Sequence, residues 1–184
     1  MAKQFERIED GHRTFIERQH IFFFGSAAGD SRVNISPRST QHFHVLDDLT
    51  VAYLDLTGSG SETAAHAKAG GRATAMFCSF EGPPLILRLY GRARVDFRGS
   101  ATYKAFLARH YRSGEPLGAR QVVTLDIDLV QTSCGFAVPT FEHTGERPVL
   151  DNWAEKKGEE GLRAYRQEKN LASIDGLPTG FAEA

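Results

Sequence analysis

The residues with the clearest chemical potential lie in DLTGSGSETAAHA, residues 55–67, where a predicted strand leads into a short predicted helix. Backbone N–H groups in the first turn of a helix have no partner within it, and the helix dipole adds partial positive charge. Gly58 and Gly60 would let the backbone approach a ligand closely. Four hydroxyl side chains could donate hydrogen bonds without adding charge, namely Thr57, Ser59, Ser61 and Thr63. We therefore expect this loop to bind an anion such as a phosphate monoester.

The same loop allows two other interpretations. The simplest is a flexible turn with Ser61 as the helix cap, which the Gly and Ser content alone would also explain. The second is a dinucleotide-binding fingerprint, because Glu81 follows about 20 residues after the glycines. However, Thr63 stands where the third glycine is required, and the helix predicted over Glu62 to Ala69 is too short for a parallel crossover. The P-loop lysine is also missing, so nucleotide hydrolysis has no support.

Other chemically active side chains give weaker signals. His42 and His44 would project from one side of an extended segment, but no third metal ligand is close in sequence, and ordinary surface or pocket histidines are the commoner interpretation. Cys134 has no recognisable basic partner that would make it a nucleophile. Ser36 and Ser39 lack the GxSxG pattern of a hydrolase elbow. We therefore predict no metal site and identify no catalytic side chain.

Composition excludes several classes of protein. The 184 residues include 22 Lys and Arg against 23 Asp and Glu, with no basic block for a phosphate backbone, so nucleic acid is not an expected partner. No apolar run approaches the roughly 20 residues of a membrane span, and the start MAKQFERIEDGHR lacks a signal-peptide core. We expect a cytoplasmic protein with no membrane partner, in which Cys78 and Cys134 are reduced and buried.

Hydrophobic periodicity predicts more strands than helices. Helices are predicted over residues 4–18, 62–69, 101–112 and 151–170, and strands around 21–27, 32–38, 49–56, 72–80, 85–97 and 121–130. In QVVTLDIDLV, alternate positions from Val123 to Leu129 should form one apolar face. Gly91 interrupts a long strand, which suggests a bulge or sharp bend. Most connections have hairpin length, so we predict one domain over residues 1–184, an antiparallel barrel with peripheral helices.

Several segments together resemble a known family, the FMN-binding split barrels related to pyridoxamine 5'-phosphate oxidase. The resemblance covers roughly residues 18–137 and rests on SRVNISPR, VAYLDLTGSGSETAAHA, RATAMFCSF and RLYGRARV. It implies a mainly β fold, an antiparallel split barrel of about six strands with an N-terminal helix and a C-terminal helical tail. It also implies FMN as the cofactor. The residues that would lie along the isoalloxazine ring are Arg32, Asn34, Ser36, Pro37 and Arg38, continued by Tyr53 and Leu54.

The resemblance further implies that residues 57–63 hold the FMN phosphate and that the protein is a homodimer with its flavin sites at the interface. Gln131, Ser133 and Cys134 would then contact the partner's cofactor. Arg38 or Arg88 could stabilise negative charge on reduced flavin. The implied function is an FMN-dependent oxidoreductase acting on a small organic substrate, with NAD(P)H as a possible electron donor.

This chain departs from the oxidase at two points. Ser59-Gly60 stands where the oxidase has an Arg-Lys pair, so phosphate binding would depend on main-chain donors and hydroxyls. QTSCGFAVPTFEHTGERP has no counterpart of the Trp-rich, Arg-x-x-His segment that holds the vitamin substrate, so pyridoxine 5'-phosphate is not the expected substrate. The alternative function is a non-catalytic carrier of flavin, deazaflavin or haem, with His42, His44 and His66 as candidate haem ligands.

Overall fold

The computed structural model describes residues 2–181 and contains eight β-strands and four α-helices. The strands are β1 Lys3–Phe5, β2 Ile21–Ala27, β3 Asn34–Ser39, β4 Phe43–Val45, β5 Thr50–Leu56, β6 Arg72–Cys78, β7 Ile86–Phe97 and β8 Ala119–Ser133. The helices are α1 Asp10–Glu17, α2 Glu62–Lys68, α3 Ala101–His110 and α4 Val149–Lys169. A 3-10 turn, Thr40–His42, joins β3 to β4. No helix within residues 2–181 is both long enough and apolar enough to cross a membrane.

The described strand pairs are all antiparallel, and the strands form one curled sheet in the order β3-β2-β6-β7-β8-β5-β4, with β1 added beside β8. The two edge strands, β3 and β4, are consecutive in the chain, so the 3-10 turn brings the two edges of the sheet together. Phe22 of β2 contacts Phe43 of β4 across the barrel interior, with their ring centroids 4.8 Å apart. The predicted fold class, an antiparallel split barrel, is confirmed, with eight strands rather than about six.

Gly91 produces the bend that the sequence predicted in the long strand β7. The register between β7 and β8 shifts between Tyr90 and Gly91, which is a β-bulge. A Cβ atom at position 91 would lie 1.9 Å from the carbonyl oxygen of Asp126, so only glycine allows this close approach. Beyond the bulge the buried positions of β8 change from odd to even, and Val130 rather than Leu129 enters the core. The prediction that alternate positions from Val123 to Leu129 form one face is therefore wrong at Leu129, which the bulge turns away from the face of Leu125 and Ile127.

The core fills the barrel interior, and a smaller apolar cluster lies outside it. Inside, the aromatic rings of β2, β5 and β6 pack with aliphatic side chains of β7 and β8. The outer cluster holds Ala52 and Leu54 of β5 against Tyr103 and Phe106 of α3. Because β5 is covered on both faces, its five central residues are all buried.

Three local predictions need correction. The helix predicted over residues 4–18 is split, because Lys3–Phe5 pairs with β8 and the helix begins only at Asp10. The predicted C-terminal helix is present, but Gly158 has a φ of 63° and interrupts its helical backbone. Strand β4 was not among the predicted strands, although His42 and His44 were expected on an extended segment.

Candidate functional site

A buried carboxylate, Asp55 at the end of β5, organises the polar centre of the molecule. Asp55 is 1% exposed and accepts hydrogen bonds from three side chains. Arg38 of the edge strand β3 donates through Nη1, Arg120 of β8 donates through Nε at 2.9 Å, and Gln121 donates through Nε2 at 2.7 Å. Asp55 therefore connects the start of β8 to the edge strand β3, which borders the opening between the two sheet edges, called the split below.

The glycine loop, residues 57–61, lies directly over Arg120. The Arg120 guanidinium donates to the carbonyl oxygen of Gly58 at 3.2 Å and to that of Gly60 at 2.6 Å. The Asn170 side chain donates to the same Gly58 oxygen at 3.0 Å and accepts from Arg120 at 2.8 Å. Arg120 is 2% exposed and Asn170 is fully buried, whereas Ser59 and Gly60 are exposed. The loop thus has a solvent side and an inner side that is fixed by buried side chains.

Two of the four hydroxyls that the sequence assigned to a ligand are used inside the protein. Thr57 Oγ1 donates to the carbonyl oxygen of Gly118 at 2.7 Å and accepts from Arg166 at 3.1 Å. Ser61 Oγ donates to the carbonyl oxygen of Ala172 at 3.0 Å. Thr63 is buried, so Ser59 is the member of the four that is open to solvent.

A carboxylate already accepts one N–H of the glycine loop. Glu62 Oε2 lies 3.0 Å from the backbone nitrogen of Ser61, and a Cβ atom at Gly60 would lie 3.3 Å from the same oxygen. An anionic oxygen is therefore accommodated at this point of the loop. Helix α2 has only seven residues, so we attribute this contact to the loop backbone rather than to the helix dipole.

Burial and charge act in opposite directions at the centre of the site. Burial alone would raise the pKa of Asp55, but the charges of Arg120 and Arg38 outweigh it and hold the pKa below its ordinary value. Burial would lower the pKa of Arg38, and Asp55 more than compensates, so the pKa is raised and the guanidinium stays charged. Burial raises the pKa of Tyr53 to about 12, so its phenol is neutral.

Two buried polar atoms in the split have no hydrogen-bond partner among the described residues, Arg38 Nε and Tyr53 Oη. The Arg38 guanidinium carbon lies 4.9 Å from the centroid of the Tyr53 ring, so the two groups are adjacent. Buried polar groups are normally hydrogen-bonded, so the unpartnered Nε of Arg38, on the edge strand β3, indicates a place where a ligand atom could bind.

The other predicted residues of β3 lie at the same edge. Asn34, Ser36 and Arg38 are paired with inward-facing positions of β2, so they point toward the split. The Asn34 amide lies 3.3 Å from Ser36 Oγ. Pro37 is exposed, and Arg32, before the strand, is paired with Asp175 of the C-terminal segment.

The remaining predicted residues lie elsewhere. Arg88 of β7 donates to Ser133 Oγ at 3.1 Å and is directly opposite Gln131 in the β7–β8 ladder. Gln131 and Ser133 lie at the end of β8, whereas Arg120 and Gln121, which bind Asp55, lie at its start, so this group is at the other end of the strand from Asp55. Cys134 is exposed, which contradicts its predicted burial, whereas Cys78 is buried as predicted. Leu54 packs against α3 in the outer cluster.

The candidate histidines fall into two separate places. His42 and His44 both approach Tyr111 Oη, at 3.0 and 3.4 Å, and the His110 ring lies 4.3 Å from that of His44. Burial, together with the nearby His110 and His42, lowers the pKa of His44 to about 4. His66 is buried, with Nδ1 2.9 Å from Ser26 Oγ. Within residues 2–181, no three His, Cys, Asp or Glu side chains are arranged to hold a metal ion.

A cavity of about 1300 Å³ lies near the start of β2, between α1, the β6–β7 turn and residues 141–147. Phe15, Phe80 and Phe141 are among its lining residues. The His20 and His143 rings, also in its wall, stack with centroids 3.8 Å apart. None of the residues predicted to contact the cofactor lines this cavity.

Three central residues of the site, Asp55, Arg120 and Asn170, are not among those predicted from the sequence. A signal existed for Asp55, because it shares a face with Val51 and Tyr53 in an otherwise apolar strand, and a carboxylate there requires a cationic partner. Arg120 lies one residue before the predicted strand, which begins at Gln121. Asn170 is 50 residues further along the chain, and no local pattern connects it to the loop.

Comparisons with known proteins identify the family. The family described as pyridoxamine 5'-phosphate oxidase matches residues 8–134. A relative from Aspergillus flavus, the pyridoxamine 5'-phosphate oxidase family protein ustO, is 38% identical over 192 residues, covering 95% of this chain and 76% of the relative.

Two solved structures share the fold. A pyridoxamine 5'-phosphate oxidase-like protein of Lactobacillus delbrueckii has a TM-score of 0.53 and 16% identity, covering 68% of this chain and 94% of its own. The HupZ protein of Group A Streptococcus has a TM-score of 0.51 and 20% identity, covering 66% of this chain and 91% of its own. At these identities the likeness concerns the fold alone. The profile match and the Aspergillus relative show that this chain belongs to the pyridoxamine 5'-phosphate oxidase family.

Proposed function

We propose that this protein binds FMN in the split between β3 and the glycine loop, and that it is an FMN-dependent oxidoreductase acting on a small organic molecule. One observation carries the proposal. Arg38 on the edge strand is connected through Asp55 and Arg120 to the glycine loop, so the residues predicted for the ring and those predicted for the phosphate belong to one hydrogen-bonded unit. Family membership supports the same cofactor class.

The side chains of the split fit a flavin. Arg38 is a fixed cation with a free Nε donor, suited to an oxygen or nitrogen acceptor on which negative charge develops. Asn34 and Ser36 provide neutral donors and acceptors beside it. Flavin supplies the hydride and electron chemistry when bound, and the chain orients it and shields it from water.

The proposed active form is a homodimer. Val33 is 71% exposed and Ile35 is 65% exposed, and both line an outer groove of the sheet with Phe23 and Met76. An exposed apolar surface of this kind is typical of a protein interface. In the dimer, Gln131, Ser133 and Cys134 of one chain, together with Arg88, would approach the flavin bound to β3 of the other.

The proposed substrate is not pyridoxine 5'-phosphate. Residues 134–148, which follow β8, form no regular element before Pro148, and they contain no tryptophan and no Arg-x-x-His sequence that could hold the phosphorylated vitamin.

NAD(P)H is the proposed electron donor. Rapid-mixing measurement of flavin bleaching by NADH and NADPH tests this proposal, and a bound flavin that neither nicotinamide reduces would favour the carrier function.

The cofactor proposal is tested by comparing the affinities of FMN and riboflavin for wild type, Gly60→Asp and Gly60→Asn. Aspartate would place a second carboxylate beside that of Glu62, whereas asparagine has the same shape without charge. We expect Gly60→Asp to weaken FMN by about tenfold or more relative to Gly60→Asn, because a unit charge within about 12 Å has that effect at an effective dielectric constant of about 20. Riboflavin should not distinguish the two variants. Equal FMN affinities would move the phosphate away from this loop.

The dimer proposal is tested by sedimentation with and without FMN. A shared site predicts that FMN stabilises the dimer by mass action, and Ile35→Asp should produce a monomer that loses the cofactor. A monomeric wild type that retains one tightly bound FMN per chain would refute the shared site.

A further inference from the structure

We propose that Arg120 is the electrostatic anchor of the FMN phosphate, acting through the glycine loop from its inner side, and that the C-terminal segment holds it there. This inference rests on the proposed FMN site. Arg120 is a positioning residue in this scheme, because its guanidinium contacts the loop carbonyls of Gly58 and Gly60 and is itself buried.

The buried charges beneath the loop do not balance. Arg38 and Arg120 share one carboxylate, Asp55, so this cluster carries two positive charges and one negative charge. The adjacent Glu62 carboxylate accepts the Ser61 N–H and forms no ion pair with either guanidinium within residues 2–181. On the inner side of the loop, positive charge therefore exceeds negative charge by one, and the Glu62 carboxylate, which lies on the loop itself, offsets this excess only in part.

A neighbouring cluster shows that the chain elsewhere balances such charges. Arg98 pairs with both Glu115 and Glu159, and Arg166 lies 3.8 Å from the same Glu159 carboxylate. Two cations and two anions meet there. The excess charge around Arg120 is thus a local property of the glycine-loop site.

Burial makes the excess charge significant. A charged group taken out of water is unfavourable unless a counterion or a full set of hydrogen bonds compensates it. Arg120 has its hydrogen-bond acceptors in Asp55, Asn170 and the two loop carbonyls, but only Asp55 carries charge. A dianionic phosphate on the exposed side of the loop would supply the missing negative charge.

Asn170 comes from the C-terminal part of the chain, after the residues that match the family description. It lies beyond residues 8–134, yet it is fully buried against the loop. Its backbone oxygen accepts from Thr179 Oγ1 at 2.7 Å, so the C-terminal segment fixes its position. The amide satisfies both Arg120 and Gly58 without neutralising the guanidinium.

This arrangement explains how the loop can bind a phosphate without basic residues of its own. Between Asp55 and Ala67 the sequence has no lysine or arginine. Ser59 and Gly60 occupy the positions where the oxidase has its Arg-Lys pair. The positive charge comes instead from β8, beneath the loop.

The test uses the full chain with Asn170→Asp, which keeps the side-chain size and adds one negative charge next to Arg120. The matched control is Asn152→Asp, the same change at an exposed position of α4. Dissociation constants for FMN and riboflavin are measured by flavin fluorescence, and circular dichroism and thermal unfolding establish that each variant is folded. Asn170→Ala, which removes both amide contacts without adding charge, serves as a second variant.

We expect Asn170→Asp to reduce the preference for FMN over riboflavin by about tenfold or more, whereas Asn152→Asp keeps the wild-type preference. Should Asn170→Asp not fold, Asn170→Ala should still reduce the preference severalfold, because it releases Gly58 and Arg120. An unchanged preference in the folded Asn170 variants, with wild type favouring FMN, would overturn the role of Arg120 and leave the FMN site intact. Equal binding of FMN and riboflavin by wild type would instead refute the FMN site and this inference with it.

Discussion

Replacing Asp55 with asparagine should destabilise the protein strongly, because it removes the negative charge shared by Arg38 and Arg120. The carboxylate accepts three side-chain hydrogen bonds at 1% exposure. Each such bond to a charged group contributes about 1.5–3 kcal/mol, but asparagine keeps one acceptor oxygen. Breaking a buried ion pair by removing one partner costs about 3–5 kcal/mol, and we expect Asp55→Asn to fall in that range.

The measurement is the free energy of unfolding in urea at neutral pH. The matched control is Asp128→Asn, which removes a carboxylate 2.6 Å from Arg72 on the exposed face of β8. That exposed pair should contribute less than about 1 kcal/mol. The pKa of Asp55 is lowered in the folded state, so its stabilising contribution is present above pH of about 3.8 and is lost as the pH falls through the folded value. If Asp55→Asn and Asp128→Asn destabilised the protein equally, the buried network would not have the role described above.

Three other changes have defined outcomes. Gly91→Ala should lower the free energy of unfolding by about 3 kcal/mol, because its Cβ would lie 1.9 Å from the Asp126 carbonyl oxygen. The control is Gly25→Ala, whose Cβ would lie 3.8 Å from the nearest atom, the Thr74 carbonyl oxygen, and which should fold normally in the same denaturation assay. Because the folded pKa of His44 is lowered from 6.5 to about 4, the unfolded chain binds its proton first, and stability should fall as the pH drops from 6.5 to 4. Because His44 is partly exposed, we expect a loss of about 1–2 kcal/mol in the free energy of unfolding. A His44→Gln variant whose free energy of unfolding falls with pH as steeply as that of wild type would contradict this prediction. Glu62→Gln should strengthen FMN binding on the order of threefold or more, because it removes a negative charge from the loop. A fluorescence titration measures this affinity, and weaker binding by the variant would mean that the carboxylate helps to bind FMN.

The elements that local pattern could predict are those whose residues determine their own conformation. The alternation in β8 and the glycine in the middle of β7 were sufficient for the strands and the bulge, and the structure confirms both. Strand β1 could not be found this way, because Phe5 and Ile8 fit a helical period and the strand exists only through pairing with residues 130–132. The change of face at Leu129 depends on the bulge and is equally non-local.

The site shows the same division between local and distant information. The glycine loop was recognisable from its composition, but the residues beneath it come from β8 and from the chain after α4. The loop pattern predicts that the Thr57 and Ser61 hydroxyls contact a ligand, whereas in the structure both donate to distant backbone oxygens. The contacts predicted between residues of β3 and the isoalloxazine ring stay predictions.

The position of β8 in the sheet has a consequence for synthesis of the protein. Among the described strands, β8 is the one link between β3-β2-β6-β7 on one side and β5-β4 on the other, and it also holds β1. Lys3 pairs with Thr132, so at about 5–20 residues per second the N-terminal strand waits roughly 6–26 s for its partner to leave the ribosome. Until then the nascent chain exposes two incomplete sheets with open edges, which are the form most prone to associate with other chains. Slow translation across the turn before β8 would prolong that exposure.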